Sequence, residues 1–431
     1  MLSINRYFHL EERGTTVATE VRAGFTTFLT MAYILFVNPQ ILSLTGMPAA
    51  DVAVATALAA ALATLMMGLF ANFPFALAPG MGLNAYFTFG VVQGMGVEWP
   101  VALTAVLIEG VLFMALAMTG VRTLLVNAIP RCIKIATITG IGLFLAIIGF
   151  ENAKLTVDHP ATLVTLGDLN SPAVLLALGG IILIAALMVK QIKGAVLIGI
   201  LVLTLISWVT GLSPAPNELV AMPHLPRETL LAIDFSQVFT GTMLTVIIAF
   251  LFVDLFDTAG TLLGVGRLAG FLDDKGNLPG SERAFMADAT GTTAGALLGT
   301  STVTTYVESA TGIEEGGRTG LTAVVVAALF LLSLFFTPLF TSVPALATAP
   351  ALIVVGAMMM LGARDLDWTQ MDEAVPAFLT VVAMPFTYSI AHGITLGIVS
   401  YVLIHLVTGQ TNKIHPVMWV LAALLIAFHA L

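Results

Sequence analysis

The sequence predicts an all-α polytopic membrane protein: about fourteen transmembrane segments arranged as a 7+7 inverted repeat, with short β-like strands before two half-helices. Three observations predict it. Hydrophobic residues make up 58% of the 431-residue chain and charged residues only 10%, with a mean hydropathy of +1.02. A soluble chain of this length needs about 25% charged residues to cover its surface. Apolar runs recur along the whole length, and about 20 residues at 1.5 Å each cross a hydrocarbon core of about 30 Å. Finally, the two halves of the chain share similar stretches in the same order.

The elements follow in order. Residues 1–23, "MLSINRYFHLEERGTTVATEVRA", are polar and charged, unlike a cleaved signal, and form a cytoplasmic N-terminus. Apolar segments at 25–45, 52–72, 82–96, 100–120, 132–150, 172–189 and 194–211 build a first repeat over 24–212. Residues 213–236 form an external linker. A second repeat, 237–410, holds segments at 241–263, 285–299, 307–315, 319–341, 349–362, 374–389 and 391–409. The last stretch, 411–431, ends in "HPVMWVLAALLIAFHAL", which lies at the interface or spans.

Charge supports this layout. With the N-terminus inside, the cytoplasmic side receives 14 of the 16 Lys and Arg residues, among them Arg122, Arg267 and Lys275. Only Lys154 and Arg227 fall outside, a bias of the positive-inside kind. Both termini are therefore cytoplasmic, and the protein belongs in the inner (plasma) membrane as a multi-pass chain. The single Cys132 excludes an internal disulfide and a Cys-based metal site, and the seven histidines show no metal-ligand spacing. No cofactor and no nucleic-acid partner is implied; the bilayer is the evident surround.

"LTAVLIEGVLFMAL" (103–116) resembles "LTAVVVAALFLLSL" (321–334), and "KGAVLIGILVLTLISWVTG" (193–211) resembles "HGITLGIVSYVLIHLVTG" (392–409). Seven spans per half is an odd number, so the second half enters the membrane from the opposite side, as in many secondary transporters. Two segments are broken. "NFPFALAPGMGLNAYF" (72–87) and "LLGTSTVTTYVESATGIEEGGRTG" (297–320) put prolines, glycines or a Thr-rich β-like run before a short helix. Neither can be a continuous lipid-facing helix, because its freed backbone groups would go unpaired in hydrocarbon. Each presents a half-helix N-terminus with free N–H groups near the midplane. By contrast, the four-residue spacing of Gly291, Gly295 and Gly299 suggests a close helix-packing face.

"APGMGLNAYF", "VDLFDTAGTL", "TYVESATG", "GGRTGLTAVV" and "EAVPAFLTVVAMPFTYSIAHGI" resemble the signature segments of the AzgA-like purine permeases. These are nucleobase–cation symporters related to the nucleobase–ascorbate transporters. The resemblance covers essentially the whole chain. It implies a core domain from spans 1–4 and 8–11, a gate domain from spans 5–7 and 12–14, proton-coupled uptake of a purine base, and a homodimer. The combination of "LAPGMGLNAYF" with "YVES" is slightly nearer the adenine type than the hypoxanthine/guanine type.

Carried onto this chain, the family's acid in the eighth span is Asp257, three residues before Gly260. Its acid in the tenth span is Glu308, flanked by Val307 and Ser309, and the half-helix start in the third span is Gly82, Leu83, Asn84 and Ala85. Carboxyl groups, an amide and free N–H groups suit the donor and acceptor edge of a purine. Burial disfavours the charged form of a carboxyl, so Asp257 and Glu308 can load a proton outside and release it inside. Thr27 and Thr30, on the first span, are candidates to line the cavity, or else to bond their own helix. Asp254 is expected nearer solvent or paired with Arg267, and Asn84 is expected to face Glu308 across the site. Asp372 and Glu373 open the thirteenth span, either as a gating pair or as a solvated helix start. Sodium coupling stays open beside proton coupling.

Two rival classes fit less well. An intramembrane aspartyl protease would place its acids on different helices in a "GxGD" context, which does not occur. An anion transporter or channel of related fold would want a positive or neutral site where this chain puts Asp257 and Glu308.

Overall fold

The computed structural model describes residues 2–119, 128–238, 240–273 and 277–430. Arg122 and Lys275, counted above on the cytoplasmic side, lie outside the described residues.

The first half begins with α1 (Leu2–Tyr7) and a bent span made of α2 (Val17–Met31) and α3 (Ile34–Ser43). Helix α4 (Ala49–Met66) widens into a π turn over Met67–Ala71 and stops at Asn72, whose φ is +54°. A strand β1 (Leu77–Pro79) leads into the half-helix α5 (Met81–Ala85), which continues in π turns to Gln93. Then come α6 (Trp99–Thr119), α7 (Arg131–Asn152), a hairpin of β2 (Thr156–His159) and β3 (Leu163–Leu166), α8 (Pro172–Val189) and α9 (Ala195–Val209). The second half holds α10 (Gly241–Leu268), α11 (Ser281–Leu298), β4 (Val303–Thr305), the half-helix α12 (Ser309–Glu314), α13 (Gly320–Ser333) and α14 (Thr337–Ser342). It closes with α15 (Ala345–Met359), α16 (Met371–Thr387), α17 (Ile390–Val407) and α18 (Pro416–Ala430). Among the described residues, nine helical stretches are long and apolar enough to cross a membrane.

The helices separate into two groups. In the core, α11 packs on α4 and α6, and α13 packs on α2 and α4. In the gate, α7 packs on α15 and α16, α8 packs on α9 and α15, and α16 packs on α17. Small residues permit the closest crossings. A Cβ at Gly320 would stand 1.9 Å from the Gly68 carbonyl oxygen, so α13 meets the end of α4 backbone to backbone. Of the three glycines spaced by four, only Gly291 lies on the face of α11 that meets Ala63 of α4; Gly295 faces residues 300–303, and Gly299 ends the helix at φ +99° against Thr229, so the three do not form one helix-packing face.

Two features differ from the sequence expectation. Helix α2 starts at Val17, well ahead of the apolar run, so residues 17–23 are not part of a polar leader. Thr16 caps it, accepting from the Thr19 N–H at 3.2 Å. Glu20, fully buried, accepts from the N–H groups of Arg318 (2.8 Å), Thr319 (3.2 Å) and Thr322 (3.2 Å) and from the Thr322 hydroxyl (2.6 Å). A carboxylate at the start of α13 answers orphan N–H groups and the helix dipole together. Hydropathy counts Glu20 as a solvent residue, which hides this role. The β2–β3 hairpin was also not anticipated, because its residues sit in a loop between spans without a strong alternating pattern.

Candidate functional site

The two broken segments meet. Strands β1 and β4 pair antiparallel, with Leu77 opposite Thr305, Ala78 opposite Thr304 and Pro79 opposite Val303. The ladder extends through the Gly80 N–H to the Thr302 carbonyl at 3.0 Å and the Tyr306 N–H to the Ala76 carbonyl at 2.9 Å. Each irregular segment thereby satisfies the other's backbone inside the bundle. Flanking helices complete the arrangement. The Thr64 hydroxyl of α4 bonds both the N–H and the carbonyl of Leu77, each at 2.9 Å. The Thr292 hydroxyl of α11 does the same for Val303, at 3.1 and 2.9 Å. The Tyr306 hydroxyl donates to the Pro79 carbonyl at 2.6 Å.

Beside these strands lies a cleft between core and gate. Residues 80–83 and 304–308 form its floor, and α10 contributes Val253, Asp257 and Thr261. Tyr33 closes one side, and the gate supplies Ile141 of α7 with Val355 and Met359 of α15. Two carboxyl groups enter the cleft. Glu308 Oε1 accepts from the Tyr33 hydroxyl at 2.5 Å, and Asp257 Oδ2 accepts from the Thr304 hydroxyl at 3.3 Å. The rest of the lining mixes apolar side chains with Thr261, Thr304, Thr305 and two tyrosines, so a small planar molecule would meet two acidic side chains, several hydroxyl-bearing residues and the first N–H groups of α5. That set can accept from ring N–H groups and, where a carboxyl carries a proton, donate to ring nitrogens.

Of the residues singled out from sequence, Asp257, Glu308, Gly82, Leu83 and Val307 line the cleft. Asn84 does not. It is fully buried behind α5, where its Oδ1 accepts from the Ser301 hydroxyl, so it does not face Glu308. One helical step of about 100° past Leu83 turns it away. Ala85 is also buried away from the cleft. The Ser309 hydroxyl accepts from the Ala76 N–H at 2.9 Å and so finishes the strand ladder. Thr30 bonds its own helix at the Thr27 carbonyl (2.8 Å) and meets the Thr311 hydroxyl at 3.0 Å, while Thr27 lies against Gly312. Both threonines join α2 to α12.

Asp254 is fully buried, neither near solvent nor paired with Arg267. Three residues along a helix is about 300°, so Asp254 sits some 60° round from Asp257 and faces α6 and α11 instead of the cleft. Asp372 is held by Lys413 at 3.1 Å and lies 3.4 Å from His405 Nε2, which ties α16 to α17 and the turn after it.

The sequence reading missed Tyr33, Thr304, Glu109 and Asp288. Tyr33 continues the i, i+3 series of Thr27 and Thr30, which was a usable signal. Glu109 and Asp288 stand alone in apolar runs, "LTAVLIEGVLFMAL" and "AFMADATG", and an intramembrane acid is itself a flag.

A family model described as a permease family, of the xanthine/uracil permease type, matches residues 18–396. The adenine permease AdeP of Escherichia coli is 45% identical over 423 residues, which is 98% of this chain and 95% of the relative. The guanine/hypoxanthine permease PbuO of Bacillus subtilis is 44% identical over 424 residues, 97% of this chain and 98% of the relative. Among solved structures, the transmembrane domain of the cyanobacterial bicarbonate transporter BicA superposes with a TM-score of 0.65 at 16% identity, covering 87% of this chain and 97% of that one. At that identity the likeness speaks for the fold alone: a core and a gate packed in the membrane.

Proposed function

The chain belongs to the xanthine/uracil permease family, and from that premise we propose that it imports purine nucleobases by proton symport. The observation that carries the reading is the convergence of Asp257 and Glu308 on one cleft beside the paired half-helix starts. A purine edge offers ring N–H donors and ring N acceptors, and two carboxyls differing in protonation answer both. An inorganic anion would meet like charge there, which sets the anion-transporter alternative aside. Adenine and guanine/hypoxanthine are the cargoes named for the relatives AdeP and PbuO, so the purine class is the level the reading reaches.

In this reading Asp257 and Glu308 bind both base and proton, residues 82 and 83 present backbone N–H groups, and Val307 covers the base. Residues 17–212 and 237–410 are the two repeats, joined by 213–236, with 1–16 and 411–431 at the cytoplasmic side of the inner membrane. The core carries the base past a fixed gate in an elevator-like movement, and the gate of one copy docks on a second copy.

The test is uptake of labelled adenine with and without a proton ionophore, with unlabelled hypoxanthine, guanine, xanthine and uracil as competitors. Ionophore-sensitive adenine uptake competed by purines is expected. Uptake of no nucleobase, or uptake indifferent to the ionophore, would overturn the reading. Glu308→Ala leaves the base edge unpaired, which costs about 1–3 kcal/mol, so affinity should fall by about 5- to 150-fold. Unchanged affinity on purified protein would move the site elsewhere.

A further inference from the structure

Three more carboxyl groups lie behind the cleft, and the transport reading gives none of them a role. Glu109 projects from α6, Asp254 from α10 and Asp288 from α11, each at 0% exposure. The carboxyls of Glu109 and Asp254 are close enough to interact electrostatically. Both oxygens of Glu109 and Oδ2 of Asp254 have no donor among the described residues. Two carboxylates only accept, so as a charged pair they would repel. A proton on one removes that repulsion.

Asp288 is different, because its oxygens accept from the Thr258 hydroxyl at 3.0 Å and the Thr305 hydroxyl at 3.1 Å. It is the member best provided to hold a charge. Every titratable group facing the cluster is acidic: Glu109 from α6, Asp254 and Asp257 from α10, Asp288 from α11, with hydroxyls only from β4. No Lys, Arg or His pairs with any of them among the described residues. Three bare charges inside hydrocarbon are not sustainable. A proton shared between the unpartnered carboxyls lowers the charge of the cluster and supplies the missing donor at once.

The cluster is connected to the cleft. The Thr258 hydroxyl lies 3.5 Å from Asp254 Oδ1, 3.0 Å from Asp288 Oδ2 and 2.9 Å from the Thr304 hydroxyl, which lies 3.3 Å from Asp257 Oδ2. A hydroxyl can accept one proton while giving up its own. We propose that Glu109, Asp254 and Asp288 form a proton-binding site behind the substrate cleft, exchanging its proton with Asp257 through the hydroxyls of Thr258 and Thr304. One O–H bond forms and one breaks at each hydroxyl oxygen, and the proton that leaves Asp257 ends on Asp254 or Asp288. No electrons change hands. The proposal rests on the proton-symport reading for its use in transport, but the protonation of the cluster stands apart from that reading.

Two measurements test it. In proteoliposomes, Glu109→Gln should lower accumulation of labelled adenine under an imposed proton gradient by about tenfold, with an equal loss of adenine-induced proton entry. Adenine affinity by calorimetry on the same preparation should change less than about threefold, since Glu109 does not reach the cleft. Glu109→Asp should recover part of the coupling. Wild-type accumulation and proton entry in Glu109→Gln would overturn the proposal. The second measurement needs no substrate. Infrared difference spectra of purified wild-type protein at neutral pH should show a protonated-carboxyl C=O band that weakens in both Glu109→Gln and Asp254→Asn. A band equally strong in both variants, or absent from the wild type, overturns the proposal even where one variant folds poorly. A wild-type protein that carries no purine but shows this band would refute the transport reading and leave the proton site standing.

Discussion

Tyr33 is the residue through which the first span reaches the site. Its hydroxyl donates to Glu308 at 2.5 Å, so it fixes which carboxyl oxygen remains for a ligand. A hydrogen bond to a charged group contributes about 1.5–3 kcal/mol, and a loosened carboxyl gives part of that back by turning to water. Tyr33→Phe should therefore weaken purine binding by about tenfold, or 1.4 kcal/mol, with expression and melting temperature little changed. Calorimetric titration with adenine and hypoxanthine reads both affinity and preference. If neither moves, Tyr33 only packs. At this scale the sequence was partly legible. Asp257 and Glu308 stand out because a carboxyl in an apolar run has few bland explanations. Tyr33 did not, since an aromatic in such a run passes for filler. Asn84 misled because a polar residue at a half-helix start looks like a ligand, and only the helical step to its neighbour shows that it points at Ser301.

Among elements, the paired strands make the site possible, and two threonines hold them. Thr64 and Thr292 stand on the helix that follows the first span of each half and bracket the first residue of each strand, Leu77 and Val303, through both N–H and carbonyl. The same device twice, once per half, supports the two-repeat proposal at the level of single hydrogen bonds. Each buried backbone group left without a partner costs about 1–3 kcal/mol. Thr292→Val keeps the shape and removes the hydroxyl, so it should lower the melting temperature of detergent-purified protein and reduce purine binding together, and Thr64→Val should do likewise. Thermal unfolding with unchanged midpoints in both variants would show that the strands hold themselves. The broken segments were legible from their prolines, glycines and threonines. Their mutual pairing was not, because 226 residues separate Leu77 from Val303 and no local pattern records which distant strand a strand will find. The early start of α2 was obscured for a related reason: Glu20 finds its N–H partners in a segment far along the chain.

At the scale of the whole molecule, core and gate must slip past each other if the transport reading holds, and one charged contact crosses between them on the side where α2 begins. Glu315, at the end of α12 in the core, pairs with Arg22 of α2 at 3.1 Å and with Lys193, which lies between α8 and α9 of the gate. Lys193, and secondarily Arg22, hold the Glu315 carboxyl below the usual carboxylate range. A depressed value means the pair is fully formed above the ordinary carboxylate pKa of about 4 and is lost only as pH falls through a still lower one. Acidification in the physiological window therefore does not release it. Glu315→Gln should change the transport rate by a similar factor at every pH between about 5 and 8 and leave the shape of the pH profile alone. A profile displaced along the pH axis would contradict that. Joining the two sides covalently is the sharper experiment. With Lys193→Cys and Glu315→Cys introduced together, a short reducible thiol-reactive linker should stop adenine uptake, and reduction should restore it; the native Cys132 is buried at 3% exposure and should not compete. Either single-cysteine variant treated in the same way should be unaffected. Full uptake in the linked protein would mean that core and gate do not move at this contact, and the elevator-like step would have to give way to motions inside the core around the paired strands.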